Sequence, residues 1–148
     1  VPAKKKLRVQ VYNQEGSVPF QSLVDSARQP FDLSGIETEW IDALRQPKTL
    51  MPYALNSNLG LRVTKGKPGP NLGSGYAVPG GVLSSIYPET LQSYRRLGED
   101  AYHKIVGMSG AHEIGHLTGK PHSKKGLMRA NFRPEELNDN ANWGFIDD

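Results

Sequence analysis

The sequence predicts a single α+β domain, and three observations carry that prediction. Its first half holds short stretches of period-two alternation, the spacing of half-buried strands. From Leu91 onward the apolar residues switch to helical spacing. The chain's 148 residues suffice for one hydrophobic core and are too few for two, so residues 1–148 read as one domain. Hydrophobic residues make up 36% and charged residues 22%, the balance of an ordinary globular chain rather than a disordered one.

The elements follow in order. Leu7-Arg8-Val9-Gln10-Val11-Tyr12 alternates apolar and polar, which predicts a strand. Phe20, Leu23, Val24 and Ala27 recur at helical spacing, and Pro30 is expected to close that helix. Ile36 to Asp42 is rich in β-formers, and Leu59, Leu61 and Val63 alternate again, giving two further strands. Glycine and proline gather between Gly66 and Gly81, which marks a long irregular connection. Two short strands, Gly75 to Val78 and Val82 to Ile86, flank the turn signal Pro79-Gly80-Gly81. Leu91, Tyr94, Ala101, Ile105 and Met108 form a helical stripe leading toward His112, with a break expected near Gly98. The main helix then runs from about Glu99 to Thr118, although Gly107 and Gly110 each weaken it by about 1 kcal/mol relative to alanine. Gly119 and Pro121 end it. A short C-terminal helix is expected from Pro134, where Glu135 and Glu136 suit the positive end of a helix dipole.

Charge and composition exclude several functions. The net charge of +3 comes largely from Lys4, Lys5, Lys6 and Arg8 and from Lys124 and Lys125, which read as a solvated terminus and a solvated loop. A nucleic-acid partner would call for a broader basic face with interleaved aromatics, so none is expected. No apolar run approaches the roughly 20 residues that cross a bilayer, so no membrane partner is expected either. There is no cysteine, which removes disulfides, thiolate ligands and cysteine nucleophiles together and leaves the redox compartment open. The chain opens on Val1 rather than Met, so its lack of a leader is not an argument for the cytoplasm. Gly73-Ser74-Gly75 is not a phosphate loop, since no Gly-Lys-Ser/Thr and no helix start follow it.

The chemistry concentrates in His112-Glu113-Ile114-Gly115-His116-Leu117-Thr118-Gly119-Lys120-Pro121-His122, which holds three of the chain's four histidines. On a helix, residues four apart lie about 40° around the axis, so His112 and His116 point the same way from successive turns. A catalytic zinc takes three protein ligands and keeps a fourth position for water. Gly119 can adopt the left-handed conformation that turns a chain out of a helix, and His122 can then return as the third ligand. Glu113, next to the first ligand, is placed to act as general base on the water at that open position. His103 lies nine residues before His112, about 180° around the helix, and reads as a surface or packing residue.

The pattern HExxHxxGxxH resembles the signature of the metzincin clan of zinc peptidases. In that clan a methionine sits in a tight turn beneath the metal, and Met128 in Gly126-Leu127-Met128 is the matching residue. His122-Ser123 followed by Leu127-Met128 is similar to the matrix metalloproteinases, with a shorter loop. Gly75-Tyr76-Ala77 through Gly81-Val82-Leu83-Ser84 is similar to the archaemetzincins, whose additional cysteines for a second zinc are missing here. The resemblance implies a zincin-like fold: a twisted, mostly parallel five-stranded sheet with a backing helix, an active-site helix and a short C-terminal helix. It also implies one catalytic Zn2+ and a peptide or protein substrate paired along an antiparallel edge strand, matched here by Gly75, Tyr76, Ala77 and Val78. By the same analogy Arg129 to Phe132 forms a wall of the pocket that takes the residue after the cleaved bond. Ala130 stands where astacins and serralysins carry a tyrosine as an extra zinc ligand, and no cysteine exists for a cysteine switch. The resemblance leans toward a secreted or extracytoplasmic location.

The expected function is therefore zinc-dependent hydrolysis of peptide bonds, most readily as an endopeptidase. One alternative keeps the enzyme but takes Glu135 or Glu136 as third ligand, as in gluzincins. Another is a zinc-containing module that binds peptides without cleaving them; Glu113 argues against it, because a structural zinc site has no use for such a base. The water chemistry would also serve a non-peptide amide.

Overall fold

The structure, a computed structural model, describes residues 6–55, 57–69, 73–78, 80–123, 126–130 and 145. Leu7, Val9 and Val11 project to one face of strand β1 (Lys6–Asn13) and are sealed from solvent, as their alternation requires. Helices α1 (Phe20–Ala27) and α2 (Gln29–Leu33) follow, then β2 (Glu37–Asp42), β3 (Asn58–Val63), β4 (Gly75–Ala77) and β5 (Leu83–Ile86). A 3-10 stretch, Pro88–Leu97, leads into the long helix α3 (Glu99–Leu117).

The strands form one five-stranded sheet in the order β2-β1-β3-β5-β4. The pairs β1–β2, β1–β3 and β3–β5 are parallel, and only β4, at the edge, runs antiparallel to its neighbour. The fold is α+β and mostly parallel, as expected. Gly75, Ala77, Leu61, Val63 and Ile86 lie on the face that α3 covers, and Tyr12, Arg62, Ser85 and Tyr76 share the opposite face.

Three expectations need correction. Pro30 does not close the first helix; it sits in the first turn of α2, where its missing N–H costs no hydrogen bond. The stripe from Leu91 is not one broken α-helix: the part before Gly98 is wound as 3-10, and Gly98, at φ 103°, resets the chain for α3. Nor is α3 apolar on one stripe only, since every residue from Ile105 to Gly115 is buried. It passes between the sheet, α1 and the 3-10 stretch. A Cβ on Gly107 would lie 2.5 Å from Ser26 Cβ and 3.0 Å from the Leu23 carbonyl, and one on Gly110 would meet Leu61 Cδ2 at 3.0 Å. These glycines let α1 and β3 approach the helix backbone, which a reading by helix propensity alone misses. The remaining boundaries shift by a residue: β4 stops at Ala77, β5 starts at Leu83, and Thr118 caps α3 rather than belonging to it. The expected helix at Pro134, with Glu135 and Glu136, lies outside the described residues.

Candidate metal centre

Helix α3 brings His112 and His116 onto one side, with their Nε2 atoms 3.2 Å apart. The helix then ends in a Schellman turn. Lys120 N–H donates to the Gly115 carbonyl at 3.0 Å, Gly119 N–H donates to the His116 carbonyl at 3.0 Å, and Gly119 has φ 94°. That turn reverses the chain and returns His122 to the two helical histidines. Its ring centroid lies 4.7 Å from that of His116 and 5.4 Å from that of His112. One nitrogen from each of the three rings falls within 4.8 Å of the others.

The rings are oriented from behind. His112 Nδ1 lies 2.7 Å from the Leu127 carbonyl and His116 Nδ1 lies 2.8 Å from the Lys120 carbonyl. A carbonyl only accepts, so each Nδ1 carries the hydrogen and each Nε2 is left with its lone pair toward the cluster. Burial disfavours the charged imidazolium in both rings: it holds His112 down at about 4 and also lowers His116. Both are therefore neutral near pH 7, the form that ligates a metal.

This donor set fits zinc. Zn–N bonds of about 2.0–2.1 Å in a tetrahedron set ligand nitrogens about 3.3 Å apart, close to the His112–His116 spacing. Three imidazoles, two of them neutral with carbonyl-anchored Nδ1 atoms, match the donors and supporting contacts of a zinc site.

Glu113 is 6% exposed, and burial raises its carboxyl to about 7. No ion pair holds it among the described residues. A Cβ on Gly75 would come within 3.2 Å of Glu113 Cγ and 2.5 Å of the Ser85 carbonyl, so the bare glycine lets β4 run close beside this side chain. Ala77, on the same face of β4, joins His116, Gly119, Lys120, Pro121 and His122 around a cavity of about 390 Å³. Gly73, Ser74 and Ala130 line a second cavity of about 430 Å³ together with Thr90, Leu91, Ser93 and Tyr94. Tyr76 points to the opposite face of the sheet, and Val78 lies past the end of the strand, 62% exposed.

Met128 lies in a tight turn in which Arg129 N–H donates to the Gly126 carbonyl at 3.2 Å. Its Sδ sits 2.8 Å from where a Cβ on Gly115 would stand, so it packs against the helix turn between His112 and His116. The turn has a second use that the sequence did not announce: its Leu127 carbonyl is the group that orients His112. His103 stands apart from the cluster, with Nε2 3.6 Å from a carboxylate oxygen of Glu99.

No family model matches the chain. No curated protein matches it either. Among solved structures, a zinc-dependent peptidase from Methanocorpusculum labreanum is similar with a TM-score of 0.62 and 19% identity, over 88% of this chain and 92% of that one. Archaemetzincin from Methanopyrus kandleri is similar with a TM-score of 0.58 and 19% identity, over 93% of this chain and 88% of that one. At these identities the likeness shows the fold, which is zincin-like.

Proposed function

We propose that the chain is a zinc-dependent peptidase of metzincin type, with His112, His116 and His122 as metal ligands and Glu113 as general base. The observation that carries this reading is the convergence of three histidine rings, two with carbonyl-fixed tautomers, beside a buried carboxylate and a strand edge that is unpaired among the described residues. The fold, shared with a zinc-dependent peptidase and an archaemetzincin, supports it.

An extended peptide adds to the outer edge of β4 through backbone hydrogen bonds, which fixes its register without reading its sequence. Gly75 keeps that edge close to Glu113, and Ala77 holds it beside His116 and His122. Zinc, when bound, supplies a Lewis-acid centre that polarises the scissile carbonyl and makes water nucleophilic near neutral pH. Glu113 takes a proton from the attacking water and delivers it to the departing amine. Its raised pKa suits both halves of that transfer, because a group near 7 both accepts and releases a proton readily. The cavity bordered by Ser74 and Ala130 lies where the β4 edge begins, and it is the natural receptor for a side chain beyond the cleaved bond.

Elemental analysis of the purified chain tests the ligand set. The expected result is one zinc per chain in the wild type and near-complete loss in His122→Ala. Full zinc retention in His122→Ala, with loss in Glu135→Ala or Glu136→Ala, would transfer the third-ligand role to a carboxylate.

A further inference from the structure

The face of the sheet turned away from α3 carries a row of side chains that the peptidase reading does not use. In register across four strands stand Tyr12 on β1, Arg62 on β3, Ser85 on β5 and Tyr76 on β4. Arg62 Nε donates to Ser85 Oγ at 3.1 Å, and Arg62 Nη2 lies 3.4 Å from the Tyr76 hydroxyl. The Tyr53 hydroxyl donates to that of Tyr12 at 3.1 Å. Arg62 is half-buried, and no carboxylate lies within ion-pair distance of it among the described residues. Arg8, four positions along β1 from Tyr12 on the same face, shows the contrast: its guanidinium has Glu39 at 3.8 Å and the Thr49 carbonyl.

The row has more donors than acceptors. Tyr76 oxygen receives an Arg62 N–H and Tyr12 oxygen receives the Tyr53 proton, so the protons of Tyr76 and Tyr12 are both left to donate elsewhere. Tyr53 supplies no negative charge either: burial pushes its hydroxyl up to about 12, despite the opposing pull of Arg62. Ser85, the one small residue in the row, is buried, and the Arg62 side chain crosses it to reach Tyr76. A partly desolvated guanidinium with no counter-charge among the described residues, one tyrosine hydroxyl beside it and a second tyrosine in register on the adjoining strand, is the complement of an oxygen anion.

We propose that Arg62, Tyr76 and Tyr12 form a binding site for an oxyanion, a carboxylate or phosphate group, on the open face of the sheet. The guanidinium supplies the charge and the two hydroxyl protons the direction. Because Tyr76 belongs to the edge strand β4, occupation of this site also bears on the strand to which a peptide adds. The site itself does not depend on zinc or on peptide cleavage.

The test is a nuclear magnetic resonance titration of the full, zinc-loaded chain with inorganic phosphate and, separately, with acetate, at constant ionic strength set by chloride. The expected result is a saturating shift of the Arg62 Nε–H resonance and of the Tyr76 and Ser85 amides by at least one anion. That anion identifies the class, phosphate ester or carboxylate. Arg62→Gln should weaken binding by about tenfold or more, read on the same two amides. Tyr76→Phe and Tyr12→Phe, which each remove one oxygen and keep the ring, should weaken it by about three- to tenfold and keep the proposal testable if Arg62→Gln fails to fold. The same titration of chelator-treated protein should give an unchanged affinity, separating this site from anion binding at the metal. Absence of a saturating shift with both anions, or equal affinity in the wild type and the Arg62 and tyrosine variants, would overturn the proposal.

Discussion

At the scale of single residues, Glu113 is the most consequential side chain, because its environment opposes its charge. Its carboxyl stands near 7 in the folded chain against an ordinary value of 4.5. Between those values the folded protein holds a proton that the unfolded chain has released. The stability present below pH 4.5 is therefore lost as pH rises through 7, by about 2–3 kcal/mol. Glu113→Gln removes that loss. In chelator-treated protein, the stability advantage of Glu113→Gln over wild type should grow by that amount between pH 4.5 and pH 8, measured by urea unfolding. His112 also titrates in this range but is common to both proteins, so it cancels in the difference; an advantage independent of pH would show that Glu113 is not desolvated. The convergence of the three histidines, with Glu113 next to the first, was legible in the sequence, because i, i+4 spacing and a following glycine have fixed geometric meaning. Their supports were not. The Leu127 and Lys120 carbonyls orient two of the rings, and a backbone carbonyl leaves no mark on residue identity. The Arg62 row escaped notice for a related reason, since its members stand on four strands and meet only through register.

At the scale of elements, α3 shows what period analysis captures and what it misses. The break at Gly98 and the stop at Gly119 were readable because both need a positive φ that glycine adopts without strain. Gly107 and Gly110 looked like weak points for the same residue type, yet their role is contact: α1 and β3 lie where their side chains would be. Gly107→Ala should therefore lower the thermal midpoint even though alanine is the better helix former. Overpacking of this kind costs about 1–3 kcal/mol, against a propensity gain of about 1 kcal/mol. An unchanged or raised midpoint by calorimetry would mean that α1 gives way freely. The edge strand β4 lies at the other limit. Three residues carry too little pattern to predict on their own, and pairing with Ser84, Ser85 and Ile86 is what makes them a strand. Pro30 misled because proline marks the first turn of a helix as well as the end of one, and only the next residues' packing decides which.

At the scale of the whole molecule, the strand order β2-β1-β3-β5-β4 sets the antiparallel edge beside the second half of α3, and the chain after Gly119 folds back to complete the histidine cluster. Period and length predicted the elements; the parallel pairings came from the resemblance carried by the histidine motif, since alternation says nothing about which strands are neighbours. The central claim is that this arrangement makes Glu113 the base of a zinc-dependent peptidase. It is tested most directly by incubating a diverse peptide mixture with zinc-loaded wild type and with zinc-loaded Glu113→Gln and reading the products by mass spectrometry. The account predicts new internal cleavages with the wild type, and a fall of about a hundredfold or more in their rate with Glu113→Gln at equal zinc content. Equal cleavage by the two proteins, or none by wild type that holds its full complement of zinc, would contradict it.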